Sequence, residues 1–164
     1  MIRIKKKTNN NSETDFFREY LSWIDIENLI DIISNKIRKG NKKYDTIIGI
    51  KNGGIVPARL ISRELEINEI EFISTKSVET NEFCHRIKNN KNHRIKNNKK
   101  YLLIDEIYDT GKTFLAIKEG LKNIEYDFTC LISRYRMQDD NIIVGRVLNN
   151  TNWIVFPWES RNIK

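Results

Sequence analysis

The sequence predicts an α/β fold: a central, mainly parallel sheet flanked by helices, with an apolar C-terminal covering segment. Three observations carry this expectation. Tyr101-Leu-Leu-Ile104 is a short apolar run that enters the acid pair Asp105-Glu106, and the turn Asp109-Thr-Gly-Lys-Thr113 then opens an amphipathic stretch. An apolar run bounded by turn residues reads as a strand buried on both faces, the usual state of strands in parallel sheets. Thr46-Ile-Ile-Gly-Ile50 repeats the plan, followed by the turn Lys51-Asn-Gly-Gly54 and a helical stretch from Ile55 to Leu65. Strands and helices alternate from 46 to 132, the order of a parallel sheet covered on both faces.

Taken in order, Met1 to Thr14 is polar and basic, with Lys5-Lys-Lys7 and Asn9-Asn-Asn11. It reads as a flexible tail ahead of a single domain over 15–164. Phe16, Phe17, Tyr20, Leu21 and Trp23 form an aromatic lead-in expected to pack on the sheet. Ile26, Leu29, Ile30, Ile33 and Ile37 recur at helical spacing, so a helix is expected over about 25–39, capped by Asp25 and stopped at Gly40. Pro57 falls in the first turn of the 55–65 helix, where its missing N–H does no harm.

Glu69–Ile73 reads as a strand, and Ser74–Lys100 has little apolar content. That stretch holds His-Arg-Ile-Lys-Asn-Asn-Lys twice, from His85 and again from His93. Two polar copies are too few for a stacked-repeat fold, and so long a loop in a compact domain reads as a lid. His85 and His93 are expected to be solvated loop residues rather than catalytic ones. Phe114, Leu115, Ile117 and Leu121 give a helix to about Asn123. Phe128–Ile132 reads as a strand, and Asn141–Val147 as another near the sheet edge.

At 164 residues the chain is one domain with room for a core. Apolar content of 39% against 31% charged residues fits a soluble globular protein. No apolar run has the length of a membrane span, and no signal-peptide segment follows the N-terminal lysines. The two cysteines, Cys84 and Cys130, are expected as free thiols in a reducing cytoplasm. No Cys/His cluster has metal-ligand spacing. Residues 85–100 carry seven Lys or Arg and no acid, which equals the whole net charge of +7. Such a segment can meet nucleic acid or steer a polyanionic small molecule.

In open α/β sheets, ligands sit just past the carboxyl ends of the strands. Three acids and a Gly/Thr turn at that place suit a ligand whose hydroxyls are held by carboxylates and whose phosphate is held by backbone N–H groups. A P-loop is excluded, because its first glycine would fall at Glu106, and a carboxylate there repels phosphate. A strand merely ending in acids, with Asp109 as a helix cap, accounts for one acid but not for all three followed by an anion-binding turn. The Gly53-Gly54 turn is a second anion site, where glycine lets the backbone come close.

Leu103-Ile-Asp-Glu-Ile-Tyr-Asp-Thr-Gly-Lys-Thr113 resembles the signature of the type I phosphoribosyltransferases, which bind 5-phosphoribosyl-1-pyrophosphate (PRPP). The resemblance covers roughly 23–159 and implies that family's fold, with a mobile lid over about 75–100 and a base-covering segment over about 134–160. It implies that Asp105 and Glu106 hold the ribose hydroxyls, and that Asp109, Thr110, Gly111, Lys112 and Thr113 hold the 5′-phosphate. Asp109, near purine N7, is the implied catalytic residue. Asn52, Gly53 and Gly54 correspond to the pyrophosphate turn, which in the family often contains a cis peptide; Asn52 stands where the purine enzymes commonly have arginine.

The segment Trp153-Ile-Val-Phe-Pro-Trp-Glu159 resembles the base-covering element of bacterial and archaeal xanthine, guanine and hypoxanthine phosphoribosyltransferases. By itself it reads as an apolar tail covering a core edge. The resemblance implies that Trp153 stacks on the purine, that the Ile154 backbone reads its edge, and that Glu159, with Asp105 through water, holds Mg²⁺. Arg134 stands where those enzymes have a lysine that meets the purine 6-oxo group, and the resemblance implies that it contacts the purine here as a donor to that group.

The implied activity is transfer of phosphoribosyl from PRPP to a 6-oxopurine in purine salvage. The implied setting is a cytoplasmic homo-oligomer, dimer or tetramer, with no nucleic-acid partner. Two other readings stay open. A PRPP-sensing regulator that binds RNA or DNA is motivated by the basic segment and opposed by its lack of interleaved aromatics and of a helix-turn-helix pattern. A phosphoribosyltransferase for adenine, a pyrimidine or a modified base keeps the chemistry and changes the acceptor.

Overall fold

The computed structural model describes residues 3–6, 17–74, 99–121 and 124–159, with only the backbone for Arg3–Lys6 and Gly120. The strands are β1 (Arg3–Lys6), β2 (Phe17–Tyr20), β3 (Thr46–Ile50), β4 (Ile70–Ile73), β5 (Tyr101–Tyr108), β6 (Tyr126–Ser133), β7 (Ile142–Val147) and β8 (Trp153–Val155). The helices are α1 (Trp23–Lys39), α2 (Ile55–Leu65) and α3 (Lys112–Gly120). Five strands form the central sheet in the order β4-β3-β5-β6-β7, and every pairing in it is parallel. The expected α/β architecture is therefore present, with β7 at an edge as anticipated.

Strict alternation along the central strands sends apolar side chains to both faces. On β5, Leu102 and Ile104 point to one core and Tyr101 and Leu103 to the other. The first core is closed by α1 and α2 through Ile26, Ile33, Ile37, Ala58 and Ile61, all buried. The second is closed by α3 through Phe114 and Ile117, which meet Phe128 and the buried free thiol of Cys130. Burying each such aliphatic side chain contributes about 1.5–3 kcal/mol, so two covered faces hold the strand ends rigidly in line. Cys84 lies outside the described residues.

Two expectations at the N-terminal end need correction. The cap of α1 is Ser22, not Asp25: the Asp25 N–H donates to Ser22 Oγ at 3.2 Å and the Ser22 N–H donates to Asp25 Oδ2 at 2.9 Å. This reciprocal pairing is a capping box, with an acid as its third helical residue. Of the lead-in, Leu21 joins the core on the central sheet, but the aromatic residues do not continue it. Phe17–Tyr20 is a strand of a second sheet, ordered β1-β2-β8, with Phe17 and Trp23 largely exposed and, among the described residues of that set, only Leu21 buried. β1 lies inside the expected tail and pairs antiparallel with β2, whereas 1, 2 and 7–14 are outside the described residues. The expected lid is outside them too, except its last two residues. Ser74 precedes it, and its last residues, Lys99 and Lys100, form ion pairs to Glu69 and to Glu125 and Asp127.

Candidate active site

β3 and β5 are parallel neighbours, so the turns leaving them emerge side by side at the same end of the sheet. At the first turn the Lys51–Asn52 peptide is cis. The Lys51 N–H donates to the Ile73 carbonyl and the Gly54 N–H to the Ile50 carbonyl, both at 2.7 Å. The N–H of Gly54 is therefore engaged inside the turn. Gly54 is also a close-approach residue, since a Cβ there would strike the Ile104 carbonyl and the Ile50 backbone. Among the described residues, the amides of Asn52 and Gly53 have no partner. α2 starts at Gly54 without a side-chain cap, leaving the positive end of its dipole open to an anion.

At the second turn, the strand does not stop at the acid pair. β5 runs on to Tyr108, so Asp105 and Glu106 are strand residues with fixed backbones. Asp105 is 9% exposed, and its Oδ1 accepts from the Glu106 N–H at 2.9 Å. Burial pushes its carboxyl up to about 7, against the pull of that hydrogen bond. Glu106 is also pushed up to about 7, first by burial and then by the charges of Glu159 and Asp105. The Trp158 indole, donating Nε1–H to Glu106 Oε2 at 3.2 Å, works in the opposite direction.

Beyond the acids, Gly111 adopts φ of +77°, a conformation in which a side chain is strained. The Tyr108 ring fills the space where a Cβ would stand. α3 follows from Gly111 without a side-chain cap, so its first amides face outward beside exposed Thr110 and Lys112 and half-buried Thr113. The Lys112 N–H lies 3.5 Å from Thr110 Oγ1, too long to count as a cap.

The two turns touch. Gly53 lies directly against the Glu106 side chain, where a Cβ would overlap its Cγ and Cδ. The acid and the glycine turn thus form one surface. On the far side, exposed Asp109 accepts from Arg134 Nε at 3.3 Å. Arg134 follows β6, and its own N–H donates to the Tyr108 carbonyl at 3.0 Å. The remaining bonds of its guanidinium go to Asn150 and Asn152, within the chain, and not outward.

The second sheet supplies the remaining wall. Trp153 is 62% exposed on β8, and Ile154 is buried. The Leu21 N–H donates to the Val155 carbonyl at 3.0 Å, which aims Val155's polar groups at the β2 side. Successive residues of a strand alternate, so the Ile154 N–H and C=O point to the other edge, which pairs with no strand among the described residues. Glu159 Oε2 accepts from the Phe156 N–H at 3.0 Å, which fixes it close enough to Glu106 to raise that acid. Phe156 and Trp158 stack at 4.9 Å behind it.

Sequence reasoning overlooked Tyr108, Trp158, Asn150 and Asn152. The repeated aromatics of the 153–159 segment were a signal for Trp158; nothing local marks the two asparagines. A cavity of about 950 Å³ lined by Lys42, Asp45, Glu64 and Lys99 lies at the opposite, amino end of the strands and is no part of this surface. His85 and His93 are outside the described residues.

Residues 19–160 match the phosphoribosyl transferase domain family. A xanthine-guanine phosphoribosyltransferase of Nitratidesulfovibrio vulgaris strain DP4 is 32% identical over 117 residues, covering 71% of this chain and 70% of that protein. A protein of the same name from Idiomarina loihiensis is 29% identical over 120 residues, covering 72% and 73%. The crystal structure of a purine phosphoribosyltransferase from Pyrococcus horikoshii superposes with a TM-score of 0.64 at 25% identity, covering 90% of this chain and 97% of that one. A Helicobacter pylori xanthine-guanine-hypoxanthine phosphoribosyltransferase, 14% identical, shares the fold with a TM-score of 0.64 and covers 87% and 94%.

Proposed function

The chain belongs to the phosphoribosyltransferase family, and from that premise we propose that it is a purine phosphoribosyltransferase of nucleotide salvage. A ring nitrogen of a free 6-oxopurine attacks C1 of PRPP, the C1–O bond breaks, and pyrophosphate leaves. The observation that carries this reading is the contact of Glu106 with Gly53, which sets a hydroxyl-binding acid pair against an anion-binding turn. A sugar carrying a phosphate at each end spans that surface.

In this scheme Asp105 and Glu106 accept hydrogen bonds from the ribose hydroxyls. The free amides of Asn52 and Gly53 and the start of α2 meet the pyrophosphate. Asp109, Thr110, Gly111, Lys112 and Thr113 wrap the 5′-phosphate at the start of α3. Trp153 offers an exposed indole face to the purine, and the outward polar groups of Ile154 read its edge. Asp109 accepts or orders the proton of the base, and as positive charge grows on the sugar its carboxylate and the acid pair stabilise it.

The acidic residues also fit Mg²⁺, which takes one or two carboxylates plus waters and substrate phosphates rather than an all-protein cage. Asp105, Glu106 and Glu159 share one acidic field, and among the described residues no three His, Cys, Asp or Glu close into a full ligand set. Glu159 and, through water, Asp105 would hold the ion. When bound, it lowers the charge on the leaving pyrophosphate. The pair's raised pKa values leave it partly protonated near neutrality, and a neighbouring cation draws it to the ionised form.

Assembly as a dimer or tetramer in the cytoplasm belongs to the same reading; among the described residues no helix is long and apolar enough to cross a membrane. The deciding experiment measures pyrophosphate release from PRPP and Mg²⁺ with xanthine, guanine, hypoxanthine, adenine and uracil in turn. Turnover with 6-oxopurines alone is expected. Turnover with adenine or uracil instead moves the acceptor, and absence of any calorimetric response to PRPP removes the reading.

A further inference from the structure

We infer that Arg134 is a positioning residue, a strut that ties the loop delivering Trp153 to Asp109, and not a ligand of the base. The inference deepens the reading above and rests on it for the identity of the base.

A guanidinium carries five N–H donors in a rigid fork. Nε donates to Asp109 Oδ1 at 3.3 Å, Nη1 to the Asn150 carbonyl at 2.8 Å and to Asn150 Oδ1 at 3.1 Å, and Nη2 to the Asn152 carbonyl at 2.5 Å. The side chain is 12% exposed, so these bonds are made largely out of water. Its root is fixed as well, because the Arg134 N–H extends the β5–β6 ladder onto the Tyr108 carbonyl.

The loop it grips is held from both ends. Asn150 Oδ1 also accepts from the Asn152 N–H at 3.1 Å, and Asn150 Nδ2 donates to buried Glu19 on β2 at 3.3 Å. Trp153 follows directly, so the place of its indole depends on carbonyls that Arg134 holds. A base oxygen arriving here meets a fork whose donors are mostly engaged. Lysine is a point donor and cannot reach Asp109 and two backbone carbonyls on different sides at once. The arginine is thus matched to the asparagines of this loop.

The test compares wild type with Arg134→Lys and Arg134→Ala in the full chain. Affinity is measured for hypoxanthine and for unsubstituted purine, which lacks the 6-oxo group, and ¹⁹F spectra are recorded on 5-fluorotryptophan protein, with Trp153 assigned through Trp153→Phe. A strut gives both bases the same loss, about 10- to 100-fold for a misplaced platform, leaves PRPP affinity within about threefold, and shifts or broadens the Trp153 resonance while that of Trp23 stays. A loss confined to hypoxanthine, or Arg134→Lys with unchanged affinities and an unmoved Trp153 signal, overturns the proposal. Arg134→Lys keeps the charge and serves where Arg134→Ala fails to fold. Wild type inert with every base sinks the parent reading alone, and the ¹⁹F comparison still decides the strut.

Discussion

At the end of β3 the chain turns by leaving side chains out; at the end of β5 it turns around one. The first turn is shaped by two adjacent glycines, one pressed on the Ile104 carbonyl and the other on the Glu106 side chain. At Gly54 the fit is backbone against backbone, which has no freedom to yield. The second turn is shaped by a single glycine at positive φ with the Tyr108 ring laid over it, and a ring can move. Similar strand–glycine–helix sequences thus make a rigid junction and an adaptable one. The acid pair lies on the strand that leads into the adaptable one, and Glu106 reaches across to the other.

The comparison can be broken from the chemical side first. Asp109→Asn in the second turn should lower turnover by about 100- to 10,000-fold, the usual cost of losing a proton-transfer partner, while steady-state kinetics and calorimetry show PRPP affinity changing far less. Near-native turnover would remove Asp109 from the mechanism. Next comes rigidity: Gly54→Ala forces a Cβ into backbone atoms and should cost about 3 kcal/mol of stability or prevent folding, read by denaturant titration.

The acid pair that joins the two turns gives a pH signature. Both carboxyls are raised to about 7 in the folded protein, above 3.8 for Asp105 and 4.5 for Glu106 when free. The folded state therefore holds protons that the unfolded chain has released. The stability this adds is complete below about pH 4 and is lost as pH rises to 7. Asp105→Asn with Glu106→Gln should flatten that decline between the two pH values; thermal melts with the same slope as wild type would contradict it. The smallest effect belongs to the adaptable turn, where Gly111→Ala should cost about 1–2 kcal/mol for the positive φ, since Tyr108 can swing aside. A loss equal to that of Gly54→Ala would erase the distinction between the turns.

Much of this was readable from short stretches. β3, β5 and β6 each announce themselves as apolar runs, and the spacing of Ile26, Leu29, Ile30, Ile33 and Ile37 marks α1. The Ser22-Trp-Ile-Asp25 capping box is equally local, although in sequence both its serine and its acid are cap-forming residue types. The engaged amide of Gly54 was not readable, since a glycine's spelling does not say whether its N–H turns inward or toward a ligand. Nor was the second sheet, whose paired strands Phe17–Tyr20 and Trp153–Val155 stand at opposite ends of the chain.

Periodicity and turn chemistry act over a few residues, so strand, acid pair, glycine turn and helix were decided where they were written. The grip of Arg134 on Asn150 and Asn152, the indole of Trp158 on Glu106, and the nearness of Gly53 to Glu106 were decided only by packing. Those contacts join groups distant along the chain, and their geometry exists only once the sheet has aligned the ends that carry them.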